Sequence, residues 1–200
     1  MKKKRKKRGF NLREEYKESW DYLKKSKNFI YIIVAVFFIF SLIGFFVPAP
    51  DAVTEQILKF IQELLEKIQG MNQSELISFI FFNNLQSSFF VMVFGVFLGI
   101  FPVVGAILNG YLLGFVASLS VEEEGTSVLL GLLPHGIFEL PAVFISLGLG
   151  LKLGTFIFQK EKIQSLKKYF WNSLRIFIFI VIPLLIIAAI IEGSFIFLSR

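Results

Sequence analysis

Residues 76–119 contain no charged side chain and consist mainly of Phe, Leu, Val, Ile and Gly. Nothing constrains this chain more. A helix crosses a bilayer core with about 20 apolar residues, so a run of this length must turn back once. Gly99, Pro102 and Gly105 mark the natural break. The expected spans are 76–100 and 103–119, joined by a very tight turn. Three other runs are apolar enough to cross. Residues 29–47 end at Pro48 and Pro50, residues 126–158 form a fourth region, and residues 176–198 contain Pro183. At roughly 1.5 Å per residue the fourth region would be nearly 50 Å long as one helix, so it must tilt, protrude or break. Pro134 and Gly136 are where a break is cheapest. With 55% hydrophobic residues and 26 phenylalanines, a soluble fold of this length could not hide its apolar surface. The expected fold is all-α: a polytopic membrane helix bundle with five transmembrane spans, the fourth broken near Pro134 and Gly136.

The charges lie between these runs and set the expected orientation. Residues 1–27 carry twelve Lys/Arg against four acids, and residues 160–175 carry five against Glu161. Residues 51–75 carry five acids and two lysines, and residues 121–125 carry three glutamates. Cytoplasmic loops are enriched in Lys and Arg, so both basic segments are expected in the cytoplasm. Five spans then place the N-terminus inside and Arg200 outside a plasma membrane. The net charge of +6 therefore speaks for lipid headgroups and not for nucleic acid. The basic start reads as a topology signal, not a cleavable signal peptide.

Two amphipathic segments flank the first span. Residues 11–27 carry Tyr16, Trp20 and Leu23 at helical spacing, which suits a helix on the cytoplasmic membrane surface or one that docks a soluble partner. Residues 1–27 are thus read as a basic arm, and residues 28–200 as one membrane domain. Residues 52–69 carry Val53, Ile57, Phe60, Ile61, Leu64 and Leu65 on one face. That helix belongs to the outer side, against lipid, its own bundle or a protein partner. Gly70 ends it, and Ser74 with Glu75 opens the next helix.

Polar groups inside the spans are few. Asn83 and Asn84 lie in the second span and Asn109 in the third. Buried amides in lipid usually hydrogen-bond across helices or line a site. Gly95 with Gly99, and Gly110 with Gly114, form small-xxx-small ridges that allow helix backbones to approach, within a bundle or across a homodimer. Gly148, Gly150 and Gly154 repeat the pattern. Lys152 is expected to snorkel to the cytoplasmic interface.

The fourth region holds the only histidine of the chain, in Leu132-Leu133-Pro134-His135-Gly136-Ile137-Phe138-Glu139-Leu140-Pro141. His135 and Glu139 are four apart and share a face if the backbone is helical. Both lie near mid-membrane, where an ionisable group is a functional-site hypothesis. Pro134 suits the first turn of a new helix, and Pro141 removes a further backbone hydrogen bond. Three readings stand at this point. The pair fixes a helix break; or it lines a proton, ion or ligand path; or it serves catalysis or a metal. The third lacks support in the residues: one His, no Cys, no HExxH helix, no G-x-S-x-G elbow and no P-loop. No metal, cofactor or catalytic residue is assigned.

Taken in order, Phe82-Asn83-Asn84, Gly95-x3-Gly99-x2-Pro102, Asn109-Gly110-x3-Gly114, the Pro134-His135-Gly136 to Pro141 motif and Gly148-x-Gly150-Leu151-Lys152-Leu153-Gly154 resemble the stage II sporulation protein M (SpoIIM-like) family. The resemblance covers roughly residues 20–198, and the compact outline is similar to archaeal-type members. It implies a five-span membrane protein. It also implies a scaffold: the family's namesake assembles with peptidoglycan-degrading partners outside the membrane and is not itself the hydrolase. The expected function is therefore a non-enzymatic scaffold or assembly factor. The alternative is a transporter or channel component in which His135, Glu139, Asn83, Asn84 and Asn109 meet in one cavity. An intramembrane enzyme is the third reading.

Overall fold

The computed structural model describes residues 11–126 and 133–199, without the side chains of residues 123, 124 and 133–135. Among the described residues the regular elements are helical, in the order α1 (Leu12–Phe46), α2 (Asp51–Ile68), α3 (Gln73–Phe94), α4 (Ile100–Glu124), α5 (Leu133–Gly154), α6 (Lys162–Ile176) and α7 (Ile182–Leu198). Five helical stretches are long and apolar enough to cross a membrane: Leu12–Phe46, Gln73–Phe94, Ile100–Glu122, Gly136–Phe158 and Lys162–Leu198. The polytopic all-helical fold expected from the sequence is present.

α5 is the axis of the bundle, and the most deeply buried of the five stretches runs along it. One side chain cluster joins its Phe144 and Leu147 to Ile33 and Phe37 of α1 and Ala106 of α4. A second, on the opposite side, joins its Ala142 and Leu149 to Met92 of α3 and to Ile176, Phe177, Val181 and Leu185. The glycine ridges are the seams. Gly110 and Gly114 of α4 rest on the backbone of Phe37 and Ser41, and Gly44 of α1 rests on Tyr111. Numbers rise together along this seam, so α1 and α4 run parallel. Gly95 and Gly99 meet Gly150, Leu151 and Gly154 of α5, and Gly148 meets Ile30 of α1. A Cβ at most of these glycines would collide with backbone, so the seams require glycine.

The basic segments come together at one end of the bundle, which we term the basic end. Glu15 and Glu18 of α1 pair with Arg175 of α6, each at 2.6 Å. The Gly95–Gly99 turn lies at this end too. At the far end stand α2 and the start of α5. α2 has no buried residue, and its Leu65 and Ile68 share a cleft with Ile196 of α7.

Several boundaries differ from expectation, each for a local reason. The amphipathic stretch 11–27 is not a separate surface helix. It continues without interruption into the first span as α1, with Asn11 as its side-chain cap, and buries Ser19, Tyr22 and Ser26. The turn between α3 and α4 falls at residues 95–99, not at Pro102. Leu98 and Gly99 take positive φ there, 58° and 71°. Pro102 sits in the first turn of α4, where its missing N–H costs nothing. α3 opens on a capping box between Asn72 and Glu75 instead of on Ser74. Pro183 is preceded by a π-helical turn, Phe177–Val181, which takes up the hydrogen bond that proline cannot make.

The fourth region differs most. From Leu133, where description resumes, the chain is helical through Pro134. Gly136 and Pro141, however, do not break it: α5 continues helical from Leu133 to Gly154. Ile137, four residues before Pro141, is 59% exposed, so the carbonyl that Pro141 leaves unbonded lies on the bundle's outer face, where no core packing is lost. Residues 127–132, the other flank of the expected break, lie outside the described residues.

Candidate functional site

Glu139 is half-buried on α5. It lines a lateral groove of about 240 Å³ with Phe37 of α1, Asn109, Leu113 and Val116 of α4, and Val143. The groove exists because α1 and α4 are held together by their glycine seam while the N-terminal half of α5 stands beside both. The Asn109 side chain donates to the Gly105 carbonyl at 2.7 Å, within its own helix, and the residue remains on the outside of the bundle. The structure thus brings Glu139 and Asn109 together. His135 lies in α5, and its side chain is outside the described residues.

Asn83 and Asn84 do not join that groove. α3 and α5 run parallel and touch at Gly95 and Gly150. Asn84 and Glu139 are each eleven residues from that contact, roughly 16 Å along the helix. They share a level but not a face. Asn84 is half-buried, and its carbonyl accepts the Ser87 hydroxyl at 3.2 Å. Asn83 points away from α5 and is exposed. Beside it on the same face are Gln86 and Ser87, both exposed. The face belongs to the middle of α3, where lipid tails would meet it. Gln86 also lines an apolar cleft of about 460 Å³ with Phe82, Phe89 and Ile178.

This polar stripe was not anticipated beyond Asn83. The signal was available: Asn83, Gln86 and Ser87 are spaced i, i+3, i+4, and so occupy one face of any helix. Two amides facing hydrocarbon are costly unless another group hydrogen-bonds to them. Among the described residues, no three His, Asp or Glu side chains gather at one point.

The model of the family described as stage II sporulation protein M matches residues 33–196. The chain belongs to the stage II sporulation protein M family. The match runs from within α1 to near the end of α7 and includes the groove at Glu139. A distant relative is the uncharacterized protein MJ0793 of Methanocaldococcus jannaschii, 29% identical over 116 residues, which are 55% of this chain and 65% of that protein. The chain thus aligns with somewhat less than two thirds of that relative's length. No solved structure matches. In this SpoIIM-family member the family motif therefore contributes one wall of a groove and the central helix of a bundle.

Proposed function

We propose that this SpoIIM-family protein is a non-enzymatic membrane scaffold that docks a transmembrane helix of a partner protein on the outer face of α3. The observation that carries the reading is the stripe of Asn83, Gln86 and Ser87, exposed at mid-span. A partner helix bearing hydrogen-bonding side chains would satisfy these groups, each contact contributing about 0.6–2 kcal/mol. The basic end faces the cytoplasm in this reading, by the Lys/Arg asymmetry. α2, which has no buried residue, then lies on the outer surface as a second contact.

The test is recovery of partners from solubilised native membranes. Asn83→Leu with Gln86→Leu should fold normally, since both positions face outward, and lose partner recovery about tenfold. Unchanged recovery would contradict the scaffold. One observation favours a second reading, a transport component: Glu139 and Asn109 share a groove. If Glu139→Gln keeps its partners but abolishes a flux in proteoliposomes, transport replaces scaffolding.

A further inference from the structure

A second polar centre lies at the basic end, separate from the groove at Glu139. Lys152 does not snorkel outward as its place near the end of α5 suggests. It is 8% exposed. Its ammonium donates to the Ser26 hydroxyl at 3.0 Å and the Lys25 carbonyl at 3.3 Å, and stands 3.9 Å from the centre of the Tyr22 ring. These partners are all neutral. A buried ammonium is ordinarily matched by an anion, because desolvating it alone is costly. Instead, Lys25 and Lys168 are near enough to repel it.

The three lysines come from α1, α5 and α6 and line one cavity of about 370 Å³, together with Tyr22 and Asn172. Two carboxylates also border it, Glu18 and Asp21. Glu18 is drawn to Arg175 at 2.6 Å, which leaves Asp21 opposite three ammonium groups. The level of the cavity is also informative. Lys25 precedes the apolar run that begins at residue 29 by four residues, roughly 6 Å of helix, and so lies at headgroup height. Lysines act as point charges toward phosphate, and basic pockets between transmembrane helices accept phosphorylated headgroups.

We propose that this cavity binds a phosphate group, held by Lys25, Lys152 and Lys168. The phosphate belongs to an anionic lipid headgroup or is free in solution. Binding would tie α1, α5 and α6 together through one anion.

Native mass spectrometry of the full chain in detergent, offered equal phosphatidylglycerol and phosphatidylcholine, tests the lipid arm. Thermal unfolding with added inorganic phosphate tests the other. The expected result is selective retention of one phosphatidylglycerol. Lys25→Gln with Lys168→Gln should weaken it about thirtyfold, as two lost charges near a surface imply. Both side chains are exposed, so this variant should fold. Lys162→Gln with Lys167→Gln removes equal charge from α6 outside the cavity and should change nothing. If phosphatidylglycerol is not preferred, but phosphate raises the unfolding temperature of the wild type and not of the Lys25/Lys168 variant, the site stands and its ligand is soluble. Equal losses in the two double variants, or no response to either phosphate, would overturn the proposal.

Discussion

At the basic end, Gly95 rests on the backbone of Gly150, Gly154 sits against Gly99, and Lys152 is enclosed by Ser26 and Tyr22. Toward the far end, Gly136 meets only the tip of Leu140 among the described residues, Glu139 and Asn109 border an open groove, and α2 has no fully buried residue. The same helix, α5, passes through both. Its C-terminal half is buried along continuous stretches, and its N-terminal half is partly exposed. The backbone seams of α5 are tightest at the basic end, and the bundle opens laterally toward the other.

The comparison can be broken most forcefully at the glycines. Gly95→Val should cost more than about 3 kcal/mol, because its side chain would meet backbone and not a movable side chain. Gly136→Ala should be tolerated and gain about 0.5–1 kcal/mol from helix propensity, since among the described residues its Cβ would meet only Leu140 Cδ1 at 3.5 Å. Unfolding in mixed detergent would measure both, and equal effects would erase the distinction between the ends. A smaller effect is expected at the enclosed lysine. Ser26→Ala removes one of the two acceptors of Lys152 and should cost about 1–3 kcal/mol. A neutral outcome would mean that Lys152 is hydrated. The smallest belongs to the basic surface. Arg175→Gln loses its ion pairs with Glu15 and Glu18, which are partly exposed, and should cost about 0.5–1 kcal/mol, less at high salt.

The sequence made the spans legible because hydrocarbon imposes length and forbids charge, and residues 76–119 and 29–47 obey both. The seams were legible for a related reason: Gly95, Gly110 and Gly114 have little other use on a helix surface in lipid. What it did not reveal is which face of each span looks inward. Lipid tails are as apolar as a protein core, so Phe82 outside and Phe37 inside carry the same signal. Sequence depth alone groups Asn83 with Glu139, whereas the helix faces place Asn83 outside the groove that Glu139 lines. The burial of Lys152 was hidden because its partners, Lys25 and Ser26, are more than 120 residues away in sequence. A lysine near the end of a span ordinarily reaches water. Nor did spacing tell that residues 11–27 continue the first span as one helix, since a surface helix and a protruding helix share one periodicity.

The proposed docking face of α3 is tested most directly by crosslinking in native membranes, and the absence of cysteine from the chain allows single thiols to be placed at will. A thiol at position 86, as Gln86→Cys, lies on the polar face of α3. One at position 190, as Ile190→Cys, lies on an apolar outer face of α7, where Ile190 is 49% exposed. With a short bifunctional thiol reagent, the account predicts a crosslinked band of higher mass from position 86 and none from position 190. Both thiols unreactive toward any second chain, or both equally reactive, would contradict it.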